Sequence, residues 1–479
     1  MLSKRLKNLS SSSLIYAIPQ LVGLIGGLVI LPIFTKYLSP SDFGLFALMT
    51  VVIGIGHSVA SLKLESGLYR YHSEYEGSSK REFLGTLFIT KTLLGLVVAI
   101  FSFALFAFLY SIDYGFANLP FFPFIPAASI IIFLLSSSGF LLALYVAEEK
   151  PKVHTVIQVI SFFAVNFMAL FFVIYSEDGV WGRFKAMLII ELVIFLFMSY
   201  LSIKKIDFQF KKRYFVRSIK FSLPLYLSDF VNLIYAYTDR LVLPIFEDIS
   251  KLGLLYVADK IGVTIHSAFR AFEKSVMPYI FNEQDSDIQK NALENLFVIW
   301  CSLSSLILLL FLLLSEVFIK VLLDVKFQDP SIFFATKILG LSYFLTTIYP
   351  FFSIAIGIAE ETKYILKVTS LSAFINFLMN ITFIPLYGWL AAPFTTLICC
   401  MITFIYLGYF SAKKTKIKFN FQYAFLITCI SLITYYLLNF LFLEFSFEYI
   451  IYKIILGTII LLFVMFKMLN LMTYIERIK

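Results

Sequence analysis

Leu31-Pro32-Ile33-Phe34 returns letter for letter as Leu243-Pro244-Ile245-Phe246, at an offset of 243 − 31 = 212 residues. Ala147-Glu148-Glu149 returns as Ala359-Glu360-Glu361 at the same offset, 359 − 147 = 212. Between these landmarks His57-Ser58 returns as His266-Ser267, at 266 − 57 = 209. Each match is short in so biased a composition, so the weight lies in their common order and spacing. Together they indicate a duplicated unit. In an apolar chain this is the architecture of a two-lobed transporter around a central path.

The surrounding composition fits only a membrane protein. The 479 residues are 60% hydrophobic and 14% charged, and mean hydropathy is +0.90. A soluble chain carries about 25% charged residues. No polar stretch is long enough for a separate soluble domain. A spanning helix needs about 20 mostly apolar residues. Fourteen such runs are expected, near 12–35, 43–63, 84–110, 123–147, 153–175, 184–203, 217–246, 252–275, 292–315, 331–357, 363–384, 389–411, 423–443 and 449–471. The fold class is therefore all-α and polytopic: a six-helix lobe over 1–205, a second over 206–415, and an extra helix pair over 416–479.

Charge supports this span order. With a cytoplasmic N-terminus, inside segments hold roughly 28 of the 39 Lys and Arg, as the positive-inside rule requires. Both termini are then cytoplasmic. The most basic loop, 203–222, falls where the repeat places its join. Lys4, Arg5 and Lys7 precede an apolar run that continues to Phe34, which reads as an uncleaved first span. The net charge of +9 thus belongs to helix ends and implies no nucleic-acid partner. Cys301, Cys399, Cys400 and Cys429 lie within apolar runs and read as small buried hydrophobes. No Walker A sequence, catalytic triad or metal-ligand cluster occurs, and neither cofactor nor catalytic residue is expected.

Charges inside apolar spans cost about 2.5–3.5 kcal/mol each and call for a reason. In span 7, Asp229, Asn232, Ala236 and Asp239 recur at helical spacing, beside Arg240, Tyr235, Tyr237 and Thr238. In span 8, Asp259, Val263, His266, Arg270 and Glu273 do the same, beside Lys260. In span 2, Gly54, His57, Ser61 and Glu65 form the corresponding stripe, with Lys63 and Arg70 following. Such stripes describe a wet wall in which Arg240, Lys260 and Arg270 bind an anion. The competing reading is internal pairing, Asp239 with Lys260 and Glu273 with Arg270. His57, His266 and Asp229 are candidates for ion coupling, although a histidine pair alone does not define a relay. The Glu148-Glu149 and Glu360-Glu361 pairs read as solvated turns, because adjacent residues on a helix do not face each other.

Several segments carry a family likeness. Gly67-Leu68-Tyr69-Arg70-Tyr71 followed by Lys80-Arg81-Glu82-Phe83-Leu84-Gly85-Thr86-Leu87-Phe88 resembles the connection between spans 2 and 3 of bacterial polysaccharide flippases. Thr238-Asp239-Arg240-Leu241-Val242-Leu243 resembles their seventh span. Leu252-Gly253-Leu254-Leu255-Tyr256-Val257-Ala258-Asp259-Lys260-Ile261-Gly262 resembles the start of their eighth, with Asp259 an uncommon letter there. The family is the Wzx-type O-antigen and capsule branch of the multidrug/oligosaccharidyl-lipid/polysaccharide exporters. The resemblance implies an undecaprenyl-pyrophosphate-linked oligosaccharide as cargo, alternating access by two lobes in the bacterial inner membrane, and a tail groove at spans 13 and 14. It also implies membrane lipids, a polysaccharide polymerase and a chain-length regulator as partners. Lipid II flippases of the superfamily carry cavity charges on span 1. This chain has none between Leu14 and Thr35, which argues against a peptidoglycan cargo. Rival readings are a cation-coupled drug or metabolite antiporter of the same fold, a glycan polymerase or ligase, and a scaffold. The polymerase would need a larger loop than Ser315–Pro330.

Overall fold

The structure is a computed structural model that describes residues 2–111, 120–267, 269, 286–415, 417–442 and 447–478. Its described residues form α-helices with no strand. In chain order the helices are α1 (Leu2–Tyr37), α2 (Pro40–Ser61), α3 (Leu64–Tyr71), α4 (Gly77–Ser111), α5 (Phe124–Ala147), α6 (Pro151–Ile174), α7 (Val180–Ser202), α8 (Lys212–Phe246) and α9 (Ile249–Gly262). They continue as α10 (Ser286–Val317), α11 (Pro330–Ile348), α12 (Pro350–Ile358), α13 (Lys363–Tyr387), α14 (Ala391–Lys414), α15 (Phe421–Leu441) and α16 (Phe447–Ile478).

Twelve of the described helices are long and apolar enough to cross a membrane. The expected fourteen spans therefore lose two counterparts, the seventh and eighth. The seventh is α8, whose 35 residues would reach about 50 Å at 1.5 Å per residue, ample for a bilayer. It lacks apolarity rather than length, because Lys220, Asp229, Asn232, Asp239 and Arg240 are spread along it. The eighth is represented by α9 and by residues largely outside the described set. Local chemistry explains several boundaries. Ser39 and Asp42 form a reciprocal capping box that starts α2, with Pro40 at its first turn. Pro350 divides the tenth run into α11 and α12.

Contacts divide the chain into two compact units. The first comprises Met1–Tyr256 and Asn380–Trp389. In it α5 packs on α2, α4 and α7, α6 joins α1 to α7, and α8 lies against α2, α3 and α4. Its core includes Leu64 and Leu68 of α3, Phe83, Leu87 and Phe88 of α4, Phe140 and Leu144 of α5, and Tyr214 of α8. Two glycines let α8 and α9 come close to the preceding helices. A Cβ on Gly67 would fall 2.9 Å from the Cβ of Ser218, and one on Gly44 would fall 1.9 Å from the carbonyl oxygen of Ile249. The second unit comprises Val257–Met379 and Leu390–Lys479. There α10 contacts α11, α15 and α16, and α14 contacts α11 and α12. Phe297, Phe351, Phe352, Phe419 and Phe421 form an aromatic core, with Phe297 and Phe419 centroids 4.8 Å apart.

The repeated Ala-Glu-Glu landmarks close their helices alike. After α5, Glu149 is left-handed (φ 55°) and the Lys150 N–H donates to the Tyr145 carbonyl. After α12, Glu360 is left-handed (φ 57°) and the Glu361 N–H donates to the Ile356 carbonyl. The turns share one geometry, displaced by one residue from the sequence register. Glu148 pairs with Lys150 and Lys205, and Glu361 with Lys363 and Lys414. Partial burial pushes the Glu148 carboxyl up, but the hydrogen bonds from Lys150 and Lys205 outweigh it and hold the group below its ordinary range.

Candidate functional site

Helix α2 stops without a glycine or proline. Leu62 (φ 42°) and Lys63 (φ 52°) adopt consecutive left-handed conformations before α3 begins. An L-residue with a bulky side chain pays roughly 1–2 kcal/mol for this backbone. Ser61 stitches the break: its hydroxyl oxygen accepts from the Lys63 N–H at 3.1 Å and its O–H donates to Glu65 at 3.0 Å. Glu65 in turn pairs with Lys91 of α4, whose side chain is fully buried. That lysine sits alone within the apolar run of α4. The break sends Lys63 toward α8, where its Nζ meets the Asp229 carboxylate at 2.5 Å.

This ion pair belongs to a cavity of about 570 Å³ within the first unit. Gly54, His57, Ser58, Ser61 and Lys63 line one side, and Tyr226, Asp229, Asn232, Leu233, Ala236 and Tyr237 the other. Of the polar stripes expected on spans 2 and 7, Gly54, His57 and Ser61 meet Asp229, Asn232 and Ala236 across one space, while Glu65 and Asp239 are not among its lining residues. Gly54 allows the close approach, since a Cβ there would lie 2.8 Å from the Tyr237 hydroxyl. The His57 Nδ1 is buried and makes no hydrogen bond to any described residue. Among the described lining residues, Lys63 carries the positive charge and Asp229 the negative one. A cavity with an ammonium, a carboxylate, an imidazole, an amide and several hydroxyls can replace the hydration of a polar, anionic solute.

The other expected residues lie elsewhere. Asp239 and Arg240, on α8, are not among the cavity-lining residues. The Arg240 N–H donates to the Asp239 carboxylate at 2.8 Å, and its guanidinium lies 5.7 Å from the Tyr237 ring and 6.0 Å from that of Tyr256. Tyr235 is half-buried on the same helix. In the second unit, the Asp259 carboxylate accepts from the Tyr343 hydroxyl at 2.5 Å, and His266 Nδ1 and the Thr346 hydroxyl lie 2.9 Å apart. Lys260 is exposed. Arg270 and Glu273 fall outside the described residues. Among the described residues no group of three His, Cys, Asp or Glu converges to hold a metal.

Sequence reasoning passed over three features, one of them, Lys91, fully buried. Lys91 was detectable as a lone charge in an apolar run. So was Glu191 of α7, which accepts from the Ser138 hydroxyl at 3.4 Å. Arg183 of α7 sits in an aromatic box, with its guanidinium carbon 3.6 Å from the Phe46 centroid, 4.4 Å from Phe34 and 5.8 Å from Phe43. Only the folded chain brings those rings together.

Residues 7–284 match a family described as polysaccharide biosynthesis protein. No curated protein matches the chain in sequence. Among solved structures, the fold is similar to the lipid II flippase MurJ in an inward closed conformation, with a TM-score of 0.74 and 18% identity over 95% of this chain and 100% of that one. It is also similar to a multidrug resistance MATE family transporter of the MOP superfamily in an inward-facing conformation, with a TM-score of 0.57 and 14% identity over 84% and 95% of the two chains. A mutant of the Vibrio cholerae MATE transporter VcmN gives 0.52 and 13% over 86% and 97%.

Proposed function

This chain belongs to the polysaccharide biosynthesis protein family, and on that premise we propose that it is a flippase for an undecaprenyl-pyrophosphate-linked oligosaccharide. It moves this cargo from the cytoplasmic to the outer leaflet of the bacterial inner membrane, for O-antigen or capsule synthesis. The observation that carries the reading is the polar cavity between α2 and α8 in an otherwise apolar chain. A sugar pyrophosphate cannot enter hydrocarbon without losing hydrogen bonds to water worth several kcal/mol per group. The cavity supplies replacements while the isoprenoid tail remains in lipid. Exposed apolar side chains on α15 and α16, including Phe440 and Phe466, provide a surface for that tail. A cation-coupled drug antiporter gains support only from the shared fold, whereas the matched family concerns polysaccharide synthesis.

In this scheme the lobes 1–205 and 206–415 rock about the cavity and the pair over 416–479 flanks it. Arg240 and Lys260 contact the pyrophosphate, joined by Arg270, and Asp239 and Asp259 belong to the same substrate-binding set. Asn232, Tyr235 and Tyr237 contact sugar hydroxyls. Asp229, His57 and His266 are the groups available for coupling to an ion. The cations are tested with Arg240→Ala, Lys260→Ala and the double variant in a strain that depends on this protein for its surface glycan. Loss of glycan export is expected. Full export by all three variants rejects their assignment.

A further inference from the structure

We infer that Lys63 is the first contact for the phosphoryl group of the cargo, and that Asp229 is an internal stand-in for that anion which the cargo displaces. The inference rests on the flippase reading above and adds a site residue and an exchange step to it.

Two lysines near the cavity have opposite characters, and burial decides which is available. Lys91 is fully enclosed against Glu65. Separating such a pair strands a charge in a dry interior, so its role is fixed. The side chain of Lys63 is 33% exposed and that of Asp229 is 56% exposed. A pair so open to solvent shifts an equilibrium by at most about fivefold. A phosphate presents several charged oxygens, and a charge-assisted hydrogen bond to it is worth about tenfold or more. The incoming anion therefore outcompetes the carboxylate.

The backbone points the same way. Nothing in the local sequence calls for left-handed Leu62 and Lys63, yet the fold maintains both and stitches them with Ser61. Strained residues held by their surroundings mark sites where orientation matters. Here the strain directs one ammonium into the cavity. In the empty state Asp229 neutralises it, so the cavity carries no uncompensated cation from this pair within the membrane. Because Asp229 is on α8 and Lys63 joins α2 to α3, displacing the carboxylate also removes a link between these elements. Arrival of the anion is thus linked to release of α8.

The test uses the full chain in lipid nanodiscs and two probes, geranyl pyrophosphate and inorganic pyrophosphate, with binding measured by calorimetry. Asp229→Asn removes the competitor, and tighter binding of geranyl pyrophosphate by about fivefold is expected. Lys63→Gln is expected to weaken it by about tenfold, with Lys63→Arg retaining most of the affinity. The double variant should behave like Lys63→Gln. If both probes follow this order, the site reads phosphate itself; if only the prenyl form does, it reads the lipid-borne group, and either result supports the exchange. Changes of the same sign in the two single variants, or no change in either, overturn it. Wild-type protein that translocates lipid-linked oligosaccharide in vesicles while Asp229→Asn binds no more tightly defeats the exchange and leaves the flippase reading standing. Absence of translocation by the wild type defeats the flippase reading instead.

Discussion

Adding one methyl group at Gly44 should pry apart the junction between α2 and α9. A Cβ there lies 1.9 Å from the Ile249 carbonyl oxygen and 2.9 Å from its carbonyl carbon. A normal carbon–oxygen contact is about 3.3 Å, so the two backbones have to separate by roughly 1.4 Å. Gly253 is as tight from the other side, with its Cβ position 1.8 Å from the Pro40 carbonyl oxygen. Neither obstacle is a side chain that can rotate away. The aromatic contacts of Tyr256 with Phe43 and Phe46, at 6.2 and 6.0 Å, loosen as well. Overpacking of this kind costs about 1–3 kcal/mol. If the loss falls on the unfolding barrier, the native half-life at fixed temperature shortens between about fivefold and about 150-fold. Cys301, Cys399 and Cys400 are buried thiols outside any disulfide, so labelling by a thiol-reactive dye reports unfolding in detergent. Gly27→Ala is the control, because its Cβ meets nothing within 4 Å. The double variant Gly44→Ala/Gly253→Ala should lose less than the sum of the single variants, since both act on one gap. A Gly44→Ala protein as long-lived as the wild type refutes the close crossing.

Lys91→Met should destabilise by about 3–5 kcal/mol by stranding Glu65, and adding Glu65→Leu should recover much of it; both are measured by the same thiol-labelling half-life. Arg183→Lys should cost about 0.5–2 kcal/mol, because an ammonium does not reproduce the planar stack over Phe46; an unchanged half-life contradicts the box. His72 follows α3, and burial, with Lys80 nearby, holds its imidazole below its ordinary pKa despite Glu148. Its neutral form is favoured on folding, so the contribution is present above the unfolded pKa of about 6.5 and is lost as pH falls toward the lower folded value. His72→Gln should therefore flatten the decline in half-life as pH falls below about 6.5; an identical slope in both proteins rules this out.

Twelve helices were legible because apolar runs of membrane length leave few alternatives in so hydrophobic a chain. Helix α8 was legible for the opposite reason: its polar residues at steps of three and four fall on one face, of which Asp229, Asn232 and Ala236 line the cavity and Asp239 does not. The same polarity keeps α8 from registering as an apolar span. The break at Leu62 and Lys63 was illegible, since no glycine or proline marks it and the left-handed backbone is enforced by Ser61 and the packing around it. Lys63 therefore read as a residue near a helix end rather than as a wall of the cavity. The aromatic box around Arg183 was equally hidden, because Phe34, Phe43 and Phe46 are indistinguishable in sequence from the many other phenylalanines.

Ala236 offers the most direct test of the path itself. It lines the cavity and is exposed there, so Ala236→Trp fills part of the space without removing a charge. Purified protein in vesicles carrying a lipid-linked oligosaccharide on the inner leaflet is assayed by exposure of the sugar to an external glycosidase. Wild-type protein should expose it and Ala236→Trp, folded with a normal half-life, should not. Equal exposure by the two proteins would mean that the cargo does not pass between α2 and α8.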